Sequence, residues 1–524
     1  MERANLWRKA EPVLFLLFVL YTAMPVLAHP FFPTVDGPAH LHNANLLKQY
    51  LFYGETSILN FFDVNTHLNS NFVDHLWFAV FGLFLPTHLV EKTILLFYVL
   101  ALPYSFRYLV NNITANKVSG RIASYLILPF VYSFTFRIGF FNFCIGIPLV
   151  FWTLGYWIQH RGQMTVTKTI WLAFLATITY ASHLFNFMLL GIILFTNEFQ
   201  YIIRSGTLKG VINKIKAPVL IFLPGLLLSG IFFFSNSSYE HAPPTFLPFS
   251  KLTETITDLS PVITLSYERE ILFARTHGCA LLVLLLLCIY DFFKNRNKRE
   301  QFHPKWIFSA LIVLVLFYVF PDCIASGGFI SIRWALFFFL VLIILIASKE
   351  LRPAWLILPI AVMLINHIFF IQYHDKETAV LSADAETLAN AEKHMETNSV
   401  LLPLNYSTNW IHINHANYMA TQKNIVNLDN YEPTKPHFPL IWKKGEQVYD
   451  LMQKYGNRNP PCINIPGYES KTGHRIDYLS RFCFDGNTSD SCNLIVEEEI
   501  KAKFELIHQS ENRRLLLYKR KPNT

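Results

Sequence analysis

Apolar runs long enough to cross a lipid bilayer recur from residue 12 to about residue 372. The chain therefore reads as an α-helical polytopic membrane protein. Composition agrees: 52% of the 524 residues are hydrophobic, 48 are Phe and only 15% are charged, where a soluble domain carries about a quarter charged residues. The formal charge of +8 then belongs to cytoplasmic loops rather than to a nucleic-acid surface. No nucleic-acid motif and no low-complexity tract accompanies it. The seven Cys lack metal-type spacing.

Basic residues set the topology. The first segment, "EPVLFLLFVLYTAMPVLA", follows Arg3, Arg8 and Lys9, which places that flank in the cytoplasm. A cleaved signal peptide is the alternative, because "VLA" before His29 resembles a cleavage site. The many spans that follow favour a retained helix. The next apolar stretch, "NFVDHLWFAVFGLFLP", is short and holds Asp74 and His75. If it crossed, Arg107, Lys117, Arg121, Arg204, Lys209, Lys214 and Lys216 would all face outward, against the positive-inside bias. It is therefore expected to lie in the interface. Helices are then expected near 88–107, 121–137, 139–158, 168–183, 184–203, 216–234, 271–292, 305–320, 334–348 and 353–372. With the first, that makes about eleven spans, the N-terminus inside and the C-terminus outside. Asp36, His40, His42, Asp74, His75, Arg137, Asn142, His183, Asp322 and Arg333 fall on the outer side. The inner loops hold mostly basic and solubilising residues, so chemistry is expected to face outward.

This divides the chain into a transmembrane domain, 1–372, with a first outer loop over 29–87, and an extracytoplasmic α/β domain, 373–524. In the latter, "ADAETLANAEKHM" has helical spacing. "SVLLPLN" and "NIVNLD" read as buried strands, and "AKFELIHQSENRRLLLYKRK" as two strands joined by a Ser-Glu-Asn turn. "IHINH" fits alternation on a strand. Outside the cell, Cys323, Cys462, Cys483 and Cys492 could oxidise.

One helix, a long outer loop with an acid just beyond it, an interfacial helix, further spans and an exported α/β domain form a recognisable order. The chain resembles the GT-C superfamily of polyprenyl-phosphate-dependent glycosyltransferases, which includes the protein mannosyltransferases and the aminoarabinose transferases of lipid A. The likeness covers the whole chain in architecture. In sequence it is strongest at "TVDGPAHLHNANLL" and at "HLWFAVFGLFLPTHLVEK". It implies that Asp36 matches the first-loop acid that serves as catalytic base or helps hold a metal. Where the family often shows a second acid, this chain has Gly37, and "FRIGFFNF" carries no acid where another is common. The resemblance thus supplies no metal ligand set.

Asp36 is expected to deprotonate an acceptor hydroxyl. A helix N-cap is its plain alternative, since "DGPAH" is a good helix start, and the two roles are compatible. His40 and Asn43 share a helix side with Asp36 and are expected to touch substrate. The stripe Leu41, Ala44, Leu47 and Leu51 adjoins them, so this helix is expected to be amphipathic and interfacial. A divalent metal on Asp36 and His40 is the weaker reading. Arg333 in "GGFISIRWALFFF" and Arg275 in "EREILFARTHG" are expected to hold the lipid phosphate. Interfacial anchoring is the alternative for Arg333. His183 in "YASHLFNF" reads as a turn cap.

The reading is a glycosyltransferase of the bacterial inner membrane. It moves a sugar from a polyprenyl-phosphate donor to a glycan, lipid or protein acceptor at the outer face. No cofactor beyond that divalent metal and no nucleic-acid partner is called for. The alternatives are a transporter or flippase of lipid-linked sugars and a non-catalytic relative that only binds them. Against transport, the ionisable residues gather at one face instead of forming a relay, and no inverted repeat is visible.

Overall fold

The computed structural model describes residues 2–66, 70–203, 208–235, 243–294, 304–324, 327–443, 463–486 and 491–522, with Thr524. Contacts divide the chain into two compact units: Met1–Pro25 with Leu68–Asn71 and Leu95–Asp375, and Val26–His67 with Phe72–Ile94 and Lys376–Thr524.

The first unit is a helix bundle. Among the described residues seven helices are long and apolar enough to cross a bilayer: Lys9–Ala28, Thr87–Ile113, Phe141–His160, Ile215–Phe234, Tyr267–Lys294, Ile330–Ser348 and Pro353–His394. Two shorter apolar helices, Leu184–Phe199 and Lys305–Val319, accompany them. This is an integral membrane protein. We number the helices α1 (Glu2–Ala28), α2 (Gly37–Tyr53), α3 (Val73–Phe81), α4 (Thr87–Ile113), α5 (Lys117–Ala123), α6 (Phe134–Ile138), α7 (Phe141–His160), α8 (Val166–Ser182), α9 (Leu184–Ile203), α10 (Leu208–Ser235), α11 (Phe249–Thr257), α12 (Tyr267–Lys294), α13 (Pro304–Val319), α14 (Ile330–Ser348) and α15 (Pro353–Ala391). α7 and α14 are the inner helices, with 83% of each apolar window buried. α7 can approach α9 closely because Gly146 stands there: a Cβ would lie 2.0 Å from Asn186 Nδ2, whose amide donates to the Phe143 carbonyl at 2.7 Å. α10 and α12 instead expose Leu226, Leu227, Phe233, Leu282 and Leu286, as lipid-facing helices do.

Two expectations about spans meet particular residues. The helix expected over 121–137 is broken into α5, a 3-10 stretch Ser124–Phe130 and α6. Pro129 lacks the donor a continuing helix needs, and Ser133 caps a new start by accepting from Phe136 N–H at 3.3 Å. The short stretch holding Asp74 and His75 is α3, nine residues long. At 1.5 Å per residue it covers about 14 Å, under half a hydrocarbon core, so it does not cross. The buried Glu11 near the start of α1 takes a two-pronged ion pair from Arg107 near the end of α4, at 2.8 and 2.6 Å. Those two ends therefore share a membrane face, as a non-spanning α3 requires.

The second unit is the α/β part, completed by the helices of the first loop. Its main sheet has the order β3-β2-β5-β7-β6, built from β2 (Ser399–Asn405), β3 (Ile425–Asn427), β5 (Tyr478–Phe482), β6 (Phe504–Gln509) and β7 (Leu515–Arg520). β2 runs parallel to β3 and β5, whereas β7 is antiparallel to β5 and β6. The strand expected from "SVLLPLN" and the C-terminal hairpin are present, and the one expected from "NIVNLD" is present over Ile425–Asn427. "IHINH" is not a strand; it lies in a 3-10 segment, Trp410–Ala420, started by Asn409, whose side chain accepts from Ile411 N–H. β1 (Phe62–Val64), in the first loop, pairs antiparallel with β4 (Leu440–Trp442). Helices α16 (Ile465–Thr472) and α17 (Ser491–Lys503) complete the unit. Leu46, Leu47, Phe62, Leu402, Leu440, Trp442, Leu479 and Phe504 share one core, so first-loop residues are part of this fold and not a separate linker. Cys323 and Cys483 are free thiols, and Cys462 lies outside the described residues.

Candidate functional site

The site grows from the start of α2. Thr34 Oγ1 accepts from Gly37 N–H at 3.0 Å, and Asp36 lends its carbonyl to His40 N–H at 3.0 Å. Asp36 occupies the N-cap position, but its carboxylate makes no capping bond. It is half-buried and accepts instead from Asn414 Nδ2 at 3.0 Å and from the Tyr431 hydroxyl. Burial first, then the Asp36 carboxylate, push that phenol well above its usual range, so it stays a donor.

α2 is not an interfacial amphipathic helix. Gly37 to Leu47 are all buried, because its polar residues face polar groups of the C-terminal segment. His42 Nδ1 donates to the Ala420 carbonyl at 2.7 Å, and burial lowers this imidazole to about 4, against the carbonyl's pull. Asn45 donates to the Lys423 carbonyl at 2.8 Å. Asn43 and Asn430 exchange amide bonds at 3.0 and 2.9 Å, a closed pair in the interior. Asn43→Ala should therefore cost about 1–3 kcal/mol, the usual penalty for orphaning a buried polar partner. It should appear as a lower unfolding midpoint in detergent with donor affinity intact. Lost donor affinity at an unchanged midpoint would return Asn43 to the substrate.

His40 enters a cluster of four ionisable groups. Its Nδ1 lies 2.6 Å from Glu432 Oε1 and 3.8 Å from Asp74 Oδ2. His75 Nδ1 donates to Asp74 Oδ1 at 2.7 Å, and its Nε2 to Glu432 Oε2 at 2.8 Å. The two imidazoles meet edge-on with centroids 5.1 Å apart, and Phe438 packs against both rings. All four groups are buried. Burial alone would lower His40 and His75. The carboxylates of Glu432 and Asp74 overcome it and hold the two up to about 9 and about 10. Burial would raise Glu432, but the two imidazoles bring it down to about 2. Among the described residues, His40, His75 and Glu432 have donor atoms that all lie within 4.8 Å of one another and could hold a metal. Asp36 is not in that group. The half-turn Glu432–Thr434 links the two features: Tyr431 touches Asp36 and Glu432 touches both histidines.

The expected arginines lie in the first unit. Asp322 starts α14 by accepting from Ile330 N–H with its carbonyl and from Ser331 N–H with its carboxylate, both at 3.0 Å. Arg333 follows on the first turn, 8% exposed. Its guanidinium stands 4.2 Å over Phe140, is flanked by Phe143 and Phe185, and lies 3.3 Å from His183 Nε2. His183 accepts from Phe185 N–H at 3.1 Å and so caps its turn as expected. Arg275 is engaged by Asp258, with Nε and Nη2 at 3.0 and 2.9 Å from Oδ1, and its side chain is 59% exposed.

No family model matches the chain, and no curated protein matches it. Solved structures do. ArnT from Cupriavidus metallidurans in the apo state matches with a TM-score of 0.53 at 10% identity, over 97% of this chain and 98% of that one. ArnT from the same organism bound to undecaprenyl phosphate matches with a TM-score of 0.51 at 9% identity, over the same shares. ArnT is an aminoarabinose transferase of the GT-C type. From end to end, and at low identity, this chain has the fold of these two ArnT structures.

Proposed function

We propose that the protein transfers a sugar from a polyprenyl-phosphate donor to a hydroxyl acceptor, with Asp36 as general base. The observation that carries this reading is the state of Asp36 within a GT-C fold. Asp36 is half-buried, and its carboxylate leaves the helix cap to other groups and is steadied by Asn414 and Tyr431. The likeness to a transferase structure holding undecaprenyl phosphate supports the donor class. In the transfer, the acceptor hydroxyl gives its proton to Asp36 and its oxygen bonds to the anomeric carbon. The bond from that carbon to the phosphate oxygen breaks, and its electrons leave with the polyprenyl phosphate. Attack opposite the leaving group inverts the centre. Negative charge persists on the departing phosphate, and Arg333 is the cation proposed to hold it. The acceptor is a glycan, lipid or protein of the cell envelope. The test is purified protein in proteoliposomes with a synthetic polyprenyl-phosphate sugar. Sugar release that requires an acceptor supports a transferase, whereas donor movement across the bilayer without release would make the protein a flippase.

The reading places this chemistry on the outer face of the bacterial inner membrane, with the N-terminus in the cytoplasm. Cysteines at the exposed positions Ser470 and Lys294 report on it in a background without reactive native thiols. On intact spheroplasts an impermeant thiol reagent should label Ser470→Cys and spare Lys294→Cys. The opposite pattern inverts the map.

A further inference from the structure

We propose that His40, His75 and Glu432 form a binding site for a divalent transition-metal cation of the zinc type, with Asp74 as the residue that orients His75. This goes beyond the transferase reading and does not depend on it. The donor set is the first argument. Two imidazole nitrogens and a carboxylate suit zinc and its neighbours, whereas magnesium and calcium favour oxygen alone. The spacing is the second. A tetrahedral zinc with ligands at about 2.0–2.1 Å separates them by about 3.3 Å. The contacts here run from 2.6 Å, and all three donors fall within 4.8 Å of one another.

Third, a metal-bound histidine usually gives its second ring N–H to a carboxylate, which fixes its tautomer and aim. His75 does this: Nδ1 donates to Asp74 at 2.7 Å while Nε2 points at Glu432. The fourth argument is the convergence on one carboxylate: His40 Nδ1 lies 2.6 Å from Glu432 Oε1 and His75 Nε2 lies 2.8 Å from Glu432 Oε2. Charge fits as well, since the carboxylates of Glu432 and Asp74 neutralise one dication in a place where every side chain is buried. The ligands come from α2, α3 and the half-turn at Glu432, so the ion would tie both first-loop helices to the C-terminal segment of the same unit.

The test uses the full chain in detergent, purified without a polyhistidine tag and stripped with a chelator. Dialysis against zinc should leave about one ion per chain by elemental analysis, and magnesium should not bind. Cobalt in its place should give visible ligand-field bands. Asp74→Asn should weaken zinc affinity about 10–100-fold, and His75→Gln with Glu432→Gln should abolish loading, while His160→Gln should bind as wild type. Zinc-edge absorption on the wild-type chain should show nitrogen and oxygen neighbours with imidazole scattering, which keeps the test alive if a variant does not fold. Substoichiometric zinc without cobalt bands overturns the proposal. So do undiminished loading of the double variant and a first shell without imidazole. None of these readouts involves sugar transfer.

Discussion

Asp36→Asn is expected to lower sugar transfer by about 10²–10⁴-fold, the contribution of a positioned general base. Protein level and unfolding midpoint should stay near wild type. The structure separates these outcomes. A helix-capping aspartate would make the same substitution a test of folding, but Asp36 does not use its side chain to cap α2. The start of that helix rests on Thr34 Oγ1 and on the Asp36 carbonyl, which the substitution leaves alone. Asparagine also keeps an oxygen for Asn414. What it lacks is basicity. Each hydrogen bond to the charged carboxylate is worth roughly 1.5–3 kcal/mol, so weakened contacts to Asn414 and Tyr431 would lower the unfolding midpoint, and a fall in transfer at an unchanged midpoint marks the loss of basicity. The measurement is acceptor-dependent release of labelled sugar, paired with thermal unfolding of the same preparation. Transfer within about threefold of wild type would remove Asp36 from the chemistry and leave a residue that merely braces Asn414 and Tyr431.

The sequence carries the bundle plainly because lipid imposes a length and a polarity that few other environments do. The placement of α3 was also legible, since a spanning α3 would have turned a row of basic residues outward, and its nine residues are too few to cross. The break at Pro129 had a local signal in "LILPFVYSF" that apolarity masks. The charged cluster was legible only in part. Asp74 and His75 stood out as polar residues opening an apolar helix. Glu432 did not: it lies 357 positions from its partner His75, in "NYEPTKPH", where no local pattern distinguishes it. α2 shows why. A helical period reports which residues share a side, and it does not report what that side meets. His40 and Asn43 were expected to touch substrate, but they and their neighbours His42 and Asn45 meet Glu432, Asn430, Ala420 and Lys423, which come from the far end of the chain.

Arg333 carries the second large expected effect, on the donor and not on the base. If it holds the lipid phosphate, affinity should fall in the order wild type, Arg333→Lys, Arg333→Ala. A charge-assisted hydrogen bond is worth roughly 1.5–3 kcal/mol, so alanine should weaken donor binding by about tenfold to a hundredfold or more. Lysine should fall between, because it keeps a charge but loses the planar fork and the stacking that a guanidinium makes. That stacking is visible here, with the guanidinium 4.2 Å over Phe140. An interfacial anchor predicts otherwise. An anchor needs its head among the lipid headgroups, where lysine serves as well as arginine, and alanine would disturb insertion before binding. At 8% exposure Arg333 does not present itself as an anchor does. Arg275 is the weaker choice, since Asp258 already takes its Nε and Nη2, and Arg275→Ala should change donor affinity little. The decisive measurement is equilibrium binding of a synthetic polyprenyl-phosphate sugar to all four proteins in detergent, with sugar release measured in parallel. Equal binding by wild type, Arg333→Lys and Arg333→Ala would discard Arg333 as the phosphate ligand. A selective loss in Arg275→Ala would move the role there, and would require the Asp258 pair to open when donor binds.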